Sequence, residues 1–297
     1  MLVACVAALL SCAGPPSLIS DPLALLKVEK KPAVAYYTGP GRDLLAHTLD
    51  VYKPLGGLTN CPVVVFVHGG DWRVGDKATD QNIGTTLAQH GIVCVSINYR
   101  LVPWANYTGQ ALDVARAFDW VKKNIAAYGG NPADIFLCGH SAGGHLVSLV
   151  ALDEEYLAQL GDSTQEIRGV ISLSGVYRVG FIGPFYTGVF NAGQVEDASP
   201  INHVKDHEPP FLLFHADADI PTLGNQAQDF CDKLRANHNA AQMVRVDLRS
   251  HTTSLWFIGT PGDRATDEIL KFIHQYSRSG AGVPAKKPKG SQPLSTD

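Results

Sequence analysis

Ile135-Phe136-Leu137-Cys138-Gly139-His140-Ser141-Ala142-Gly143-Gly144-His145-Leu146-Val147-Ser148-Leu149-Val150 is the stretch on which the reading of the fold turns. Four residues of strand character run into Gly139-His140-Ser141-Ala142-Gly143, a G-x-S-x-G pattern, and an apolar helix-like run follows at once. As a bare pentapeptide the pattern is weak evidence. Its context strengthens it. A serine on a tight strand-to-helix turn is lifted above the carboxyl edge of a sheet, and the neighbouring glycines leave backbone room that a Cβ would fill. The helix that starts there aims free N–H groups and its positive end at any anion formed beside the hydroxyl.

Outward from this turn, short apolar runs alternate with amphipathic stretches. Residues 62–67, 92–97, 135–138, 170–173, 211–214 and 243–248 are mostly continuous apolar segments of strand length, as expected of strands buried on both faces. Between two of them, residues 111–127 place Val114, Phe118, Val121 and Ile125 at helical spacing, with Asp113, Arg116, Asp119, Lys122 and Lys123 elsewhere on the wheel. The alternation predicts an α/β fold, a mostly parallel central sheet flanked by helices on both faces. A ligand site is expected at the carboxyl ends of its strands.

Serine at its ordinary pKa is a poor nucleophile, so a base and a group that orients the base are required. In a doubly wound sheet with such a turn, the acid and then the histidine follow the serine, each in a loop after a later strand. After 211–214 comes His215-Ala216-Asp217-Ala218-Asp219-Ile220-Pro221. Asp219 lies farther into this loop and is the favoured acid; Asp217, the alternative, reads more simply as a turn residue. Of the histidines that follow, His238 lies at the polar end of a helix and His274 within the last amphipathic segment. Only His251 sits in a loop directly after a strand, so Ser141, Asp219 and His251 are the candidate catalytic set. His140 and His145 bracket the serine too closely to serve as its base and are expected to line or support the site. For the oxyanion, the run 63–67 ends in His68-Gly69-Gly70-Asp71-Trp72, which places backbone amides at the same edge. The expected donors are Gly70, Asp71 and Ala142, with Gly69 as a substitute.

The chain has 297 residues, 45% of them hydrophobic and 18% charged, which is enough apolar material for a large core and excludes disorder along its whole length. A net charge of -4 without a basic block argues against a nucleic-acid partner. Six scattered cysteines show no zinc spacing, and no metal or organic cofactor is expected; Cys61, Cys94 and Cys138 read as small buried hydrophobes. Residues 1–20 read as an export signal, too short to span a bilayer, although no Lys or Arg precedes the apolar run. Leu9-Leu10-Ser11-Cys12-Ala13-Gly14 is similar to a lipobox, which would attach the protein to a membrane surface through a lipid on Cys12. The expected location is therefore exported, or cytoplasmic if the leader is not a functional signal. Residues 279–297 lack apolar periodicity and read as a disordered tail, leaving 30–278 as one domain.

Further motifs run through that body: Leu49-Asp50-Val51-Tyr52-Lys53-Pro54, His68-Gly69-Gly70-Asp71-Trp72-Arg73-Val74-Gly75-Asp76-Lys77, Asn98-Tyr99-Arg100-Leu101 and Tyr128-Gly129-Gly130-Asn131-Pro132. With Gly139 to His145 they give a resemblance to the α/β-hydrolase esterase/lipase family, the group related to hormone-sensitive-lipase-like esterases, arylformamidases and isoprenylcysteine methylesterases. The resemblance implies a serine carboxylesterase that hydrolyses small carboxylic esters through a Ser-His-Asp triad and an acyl-enzyme. It carries Ser141, Asp219 and His251 into the triad and the Gly-Gly loop into the oxyanion role. Arylformamide hydrolysis is the alternative reaction, and a non-catalytic hydrolase-fold binding protein is the alternative class. One departure bears on substrate. Lipase-like members often carry a third glycine where this chain has Asp71, and Trp72 after it is closer to the formamidase-like variant. Residues 181–190, rich in aromatics and glycine, read either as a surface excursion or as a small cap over an apolar pocket.

Overall fold

Continuous apolar runs in the middle of the chain become the central strands of one sheet. The computed structural model describes residues 25–181 and 186–278; the expected leader, its Cys12 and the tail lie outside them. The strands are β1 (Val28–Ala35), β2 (Thr48–Pro54), β3 (Cys61–Val67), β4 (Val93–Ile97), β5 (Gly130–His140), β6 (Ile167–Leu173), β7 (Phe211–Ala218) and β8 (Ala241–Ser250). Their spatial order is β1-β2-β4-β3-β5-β6-β7-β8. The β1/β2 and β2/β4 pairs are antiparallel, and every other pair is parallel. This is the α/β architecture expected, with an antiparallel hairpin added at one side.

The helices are α1 (Gln81–Gln89), α2 (Tyr107–Asn124), α3 (Ala142–Leu152), α4 (Glu154–Ala158), α5 (Leu223–Ala236), α6 (Thr253–Trp256) and α7 (Arg264–Tyr276). Side chains alternate across a strand, and β3 shows the result on both faces. Val63, Val65 and Val67 pack in one core with Val114 and Phe118 of α2, Leu146 of α3 and Phe230 of α5. Val64 and Phe66 point the other way, into a second core with Leu87 of α1 and Phe272 of α7. Each such burial contributes about 1.5–3 kcal/mol relative to exposure, so the two cores dominate the stability of the sheet. Cys61, Cys94 and Cys138 are free and buried, in keeping with their reading as small hydrophobes.

Two features place the loops at the carboxyl edge. The ideal Cβ of a residue at Gly143 would stand 2.0 Å from the carbonyl oxygen of Val67, so α3 approaches the end of β3 as closely as glycine permits. On the hairpin side, buried Asp113 of α2 accepts hydrogen bonds from Nε and Nη2 of Arg100 at 2.8 Å each and from Arg116 at 3.0 Å, and it meets Nε2 of His47 at 3.0 Å. Burial pushes this carboxyl up, but the hydrogen bonds from His47 and Arg100 outweigh it and hold the group below the usual carboxylate range. The cluster pins the start of β2 to α2.

Candidate active site

Ser141 occupies the single residue between β5 and α3, at φ 52° and ψ −115°. This left-handed backbone is strained for a residue with a Cβ, at a cost of about 1–3 kcal/mol, and persists only where the surroundings impose it. They do so here. The Ser141 N–H donates to the carbonyl of Leu173 at 2.9 Å, and a Cβ on Gly139 would fall 2.3 Å from the Gly143 carbonyl oxygen. The glycines around the serine are therefore required by packing.

The structure brings together the three residues singled out by sequence. Nε2 of His251 lies 2.9 Å from Oγ of Ser141, and Nδ1 lies 2.6 Å from Oδ1 of Asp219. With Nδ1–H donating to the carboxylate, Nε2 is left to accept the serine proton. Asp219 is further fixed by Oγ–H of Ser174 at 2.7 Å and the N–H of Ala216 at 3.0 Å, both donating to Oδ2, and by the N–H of Ile220 at 2.8 Å donating to Oδ1. Burial raises this carboxyl, and the hydrogen bonds from His251, Ser174 and Ala216 more than offset it, bringing the group down to about 2. It stays ionised beside the imidazole. Asp217 does something else: its carboxylate accepts the N–H groups of Leu248 and Arg249, each at 2.9 Å, and so fastens β7 to the irregular end of β8 just before His251.

Ser174 was not visible as a site residue in the sequence. Its signal was faint, a Ser-Gly pair ending the apolar run of β6, and its left-handed φ of 50° shows the tight turn it makes at the sheet edge.

The Gly69-Gly70-Asp71 loop closes over the serine. A Cβ at Gly69 would stand 3.2 Å from Cβ of Ser141 and 2.9 Å from Nδ1 of His140, so only glycine lets the loop lie this near. Gly70, Asp71 and Trp72 all have positive φ, of 116°, 53° and 59°, and the turn is closed by N–H groups of Arg73 and Val74 donating to the Gly70 carbonyl at 2.9 Å each. The N–H groups of Gly70, Asp71 and Ala142 donate to no acceptor among the described residues. They are the groups named from sequence as oxyanion donors.

His140 and His145 support this arrangement. Nε2–H of His140 donates to the backbone carbonyl of His251 at 2.9 Å, with ring centroids 4.8 Å apart. On α3, His145 donates from Nε2 to the carbonyl of Ala198 at 2.7 Å and accepts at Nδ1 from the indole N–H of Trp72 at 3.2 Å. Burial drives both imidazoles down to about 4, helped at His140 by the adjacent His251 and at His145 by His203. Both are neutral near neutrality. His238 and His274 stay away from the site, one just past α5 and the other on α7. Over the Trp72 ring sit Tyr186 and Phe190, with centroids at 5.3 and 5.0 Å, so the described part of residues 181–190 packs on the loop after β3. The rest of that stretch, 182–185, lies outside the described residues.

Residues 49–183 match the BD-FAE family. Esterase B of Lactobacillus rhamnosis has the same fold, with a TM-score of 0.73 at 23% identity over 87% of this chain and 88% of that one. The chain has the α/β-hydrolase fold. Among its relatives in sequence, esterase LipC of Mycobacterium tuberculosis is 34% identical over 259 residues, 80% of this chain and 64% of LipC. Isoprenylcysteine alpha-carbonyl methylesterase ICME of Arabidopsis thaliana is 29% identical over 265 residues, 80% of this chain and 62% of that protein. The chain thus spans less than two thirds of the length of these two relatives.

Proposed function

We propose that the protein is a serine carboxylesterase acting on small carboxylic esters, with Ser141 as nucleophile, His251 as base and Asp219 as the residue that orients it. The observation that carries this reading is the continuous hydrogen-bonded line from Oγ of Ser141 through His251 to Asp219. His251 takes the Ser141 proton as Oγ attacks the ester carbonyl, and Asp219 stabilises the imidazolium that results. The N–H groups of Gly70, Asp71 and Ala142 receive the negative charge of the tetrahedral oxygen; such donors contribute about 3 kcal/mol each when fixed in place. His251 then passes its proton to the departing alcohol. Water repeats the sequence on the acyl-enzyme and frees the acid. Two relatives named for ester hydrolysis support the same reaction class.

The test is turnover of a panel of aryl esters of increasing acyl length, alongside an aryl formamide, together with labelling by a fluorophosphonate. Ester turnover by the parent, lost in Ser141→Ala and His251→Ala with fold intact, is the expected result. Faster formamide than ester cleavage would move the assignment to arylformamidase. Absence of labelling at Ser141 would leave a binding protein on a hydrolase scaffold. Export is proposed from the apolar leader around Cys12, and the mass of the mature N-terminus checks it.

A further inference from the structure

The large apolar side chains that remain exposed gather at one edge of the sheet. Ten are exposed among the described residues, and eight of them lie in strand-end segments at the carboxyl edge, where Ser141 lies; Leu25 and Leu55 are the other two. Their order follows from the order of strands. Leu44 and Leu45 precede β2, whose start pairs with the end of β4. Trp104 follows β4 and Val74 follows β3. Beyond the serine turn after β5, Ile220 follows β7, Leu248 lies near the end of β8, and Trp256 and Phe257 come just after His251. The row therefore flanks the site on both sides, reaching across seven strand positions, or roughly 29 Å at the usual spacing between strands.

Scattered exposed leucines are ordinary on soluble proteins. Concentration of eight out of ten at the rim of one site is not. Trp104 is 79% exposed, Trp256 65% and Leu248 88%, and the chain has only four tryptophans. Indole combines an apolar body with one N–H, and it settles at the headgroup level of lipid, where one end is wet and the other dry. The charges between these residues are mixed: Asp71 and Arg73 follow β3, while Asp217 and Arg249 lie at the ends of β7 and β8. That balance favours a zwitterionic surface over an anionic one. Residues projecting singly or in pairs from separate segments suit shallow insertion among lipids; a protein partner needs a contiguous, well-packed centre.

We propose that this rim docks on the surface of a lipid aggregate, so that the site opens directly onto it. The source of the substrate, an ester held in that aggregate, rests on the carboxylesterase reading; the docking does not. The experiment is co-sedimentation of the full chain with phosphatidylcholine vesicles, repeated with phosphatidylglycerol added. It compares the parent with Trp104→Ser/Trp256→Ser and with Leu55→Ser at the opposite edge. The parent is expected to partition onto phosphatidylcholine, the double variant at least about tenfold less, and Leu55→Ser like the parent. All three should turn over a soluble short-chain ester equally. A parent that stays in the supernatant, a double variant that partitions as the parent does, binding that requires phosphatidylglycerol, or a rim covered by a second copy in sedimentation velocity would each overturn the proposal. Binding without turnover would sink only the esterase reading, and turnover without binding only this one.

Discussion

His140 and His251 are joined through main chain, with Nε2–H of the first donating to the carbonyl of the second at 2.9 Å. The residue beside Ser141 thus holds the backbone that carries His251, linking β5 to the loop after β8. Ser254 donates to the same carbonyl at 2.8 Å and leaves it well satisfied. His140→Leu removes one of these ties and is expected to lower kcat by roughly tenfold, the worth of one hydrogen bond, with little change in KM. His140→Gln keeps an N–H donor and should recover most of the loss. Steady-state kinetics on a short aryl ester check it; equal kcat in all three proteins would show that the tie has no bearing on catalysis.

The two aspartates of the loop after β7 separate cleanly in geometry. Asp219 touches the imidazole of His251, whereas Asp217 holds backbone amides of β8. Asp219→Asn is expected to reduce kcat by about 10⁴, because the amide no longer fixes the tautomer in which Nε2 is free to accept. Asp217→Asn should leave kcat nearly unchanged while lowering Tm. The reverse pattern in kcat and thermal melts would exchange their roles.

Acid should weaken the fold through its buried histidines. His140 and His145 titrate at about 4 in the folded chain against an ordinary 6.5, so between these values the unfolded chain binds more protons and stability falls as pH falls. Each shift corresponds to about 3 kcal/mol once pH is below both values. Asp219, held at about 2, adds a further loss only as pH drops below the usual carboxylate range. Urea midpoints from pH 7 to 4 should decline in the parent. His145→Gln, which can both accept from Trp72 and donate to Ala198 without a titrating ring, should give a shallower decline. A midpoint independent of pH over this range would contradict both assignments.

Gly143→Ala is expected to prevent accumulation of folded protein. Its methyl would stand 2.0 Å from the Val67 carbonyl oxygen, where only backbone displacement could make room. A variant that folds with parental Tm and turnover would show that α3 can shift away from β3.

The central strands and the serine turn were legible because burial on both faces leaves continuous apolar runs, and because a turn this tight demands glycine at fixed offsets. Asp219 and His251 could be placed by elimination along the chain, since a parallel sheet delivers every strand end to one edge. β1 left no comparable signal: residues 28–35 are mostly exposed and carry three charges and a proline, so no core face is written into them. β2 showed itself only as part of a family motif. The supports were also hidden. Ser174 to Asp219, His140 to the His251 carbonyl and Trp72 to His145 are contacts between segments far apart in sequence, and no local spacing announces them.

The strand that delivers His251 is the last of the sheet, with a neighbour on one side only. Ser141, by contrast, is carried by β5, which is enclosed by β3 and β6. Fraying on warming begins at such a margin, so heat would part His251 from Ser141 while Ser141 and both cores were still in place. Inactivation should then run ahead of melting and, below the melting range, reverse on cooling.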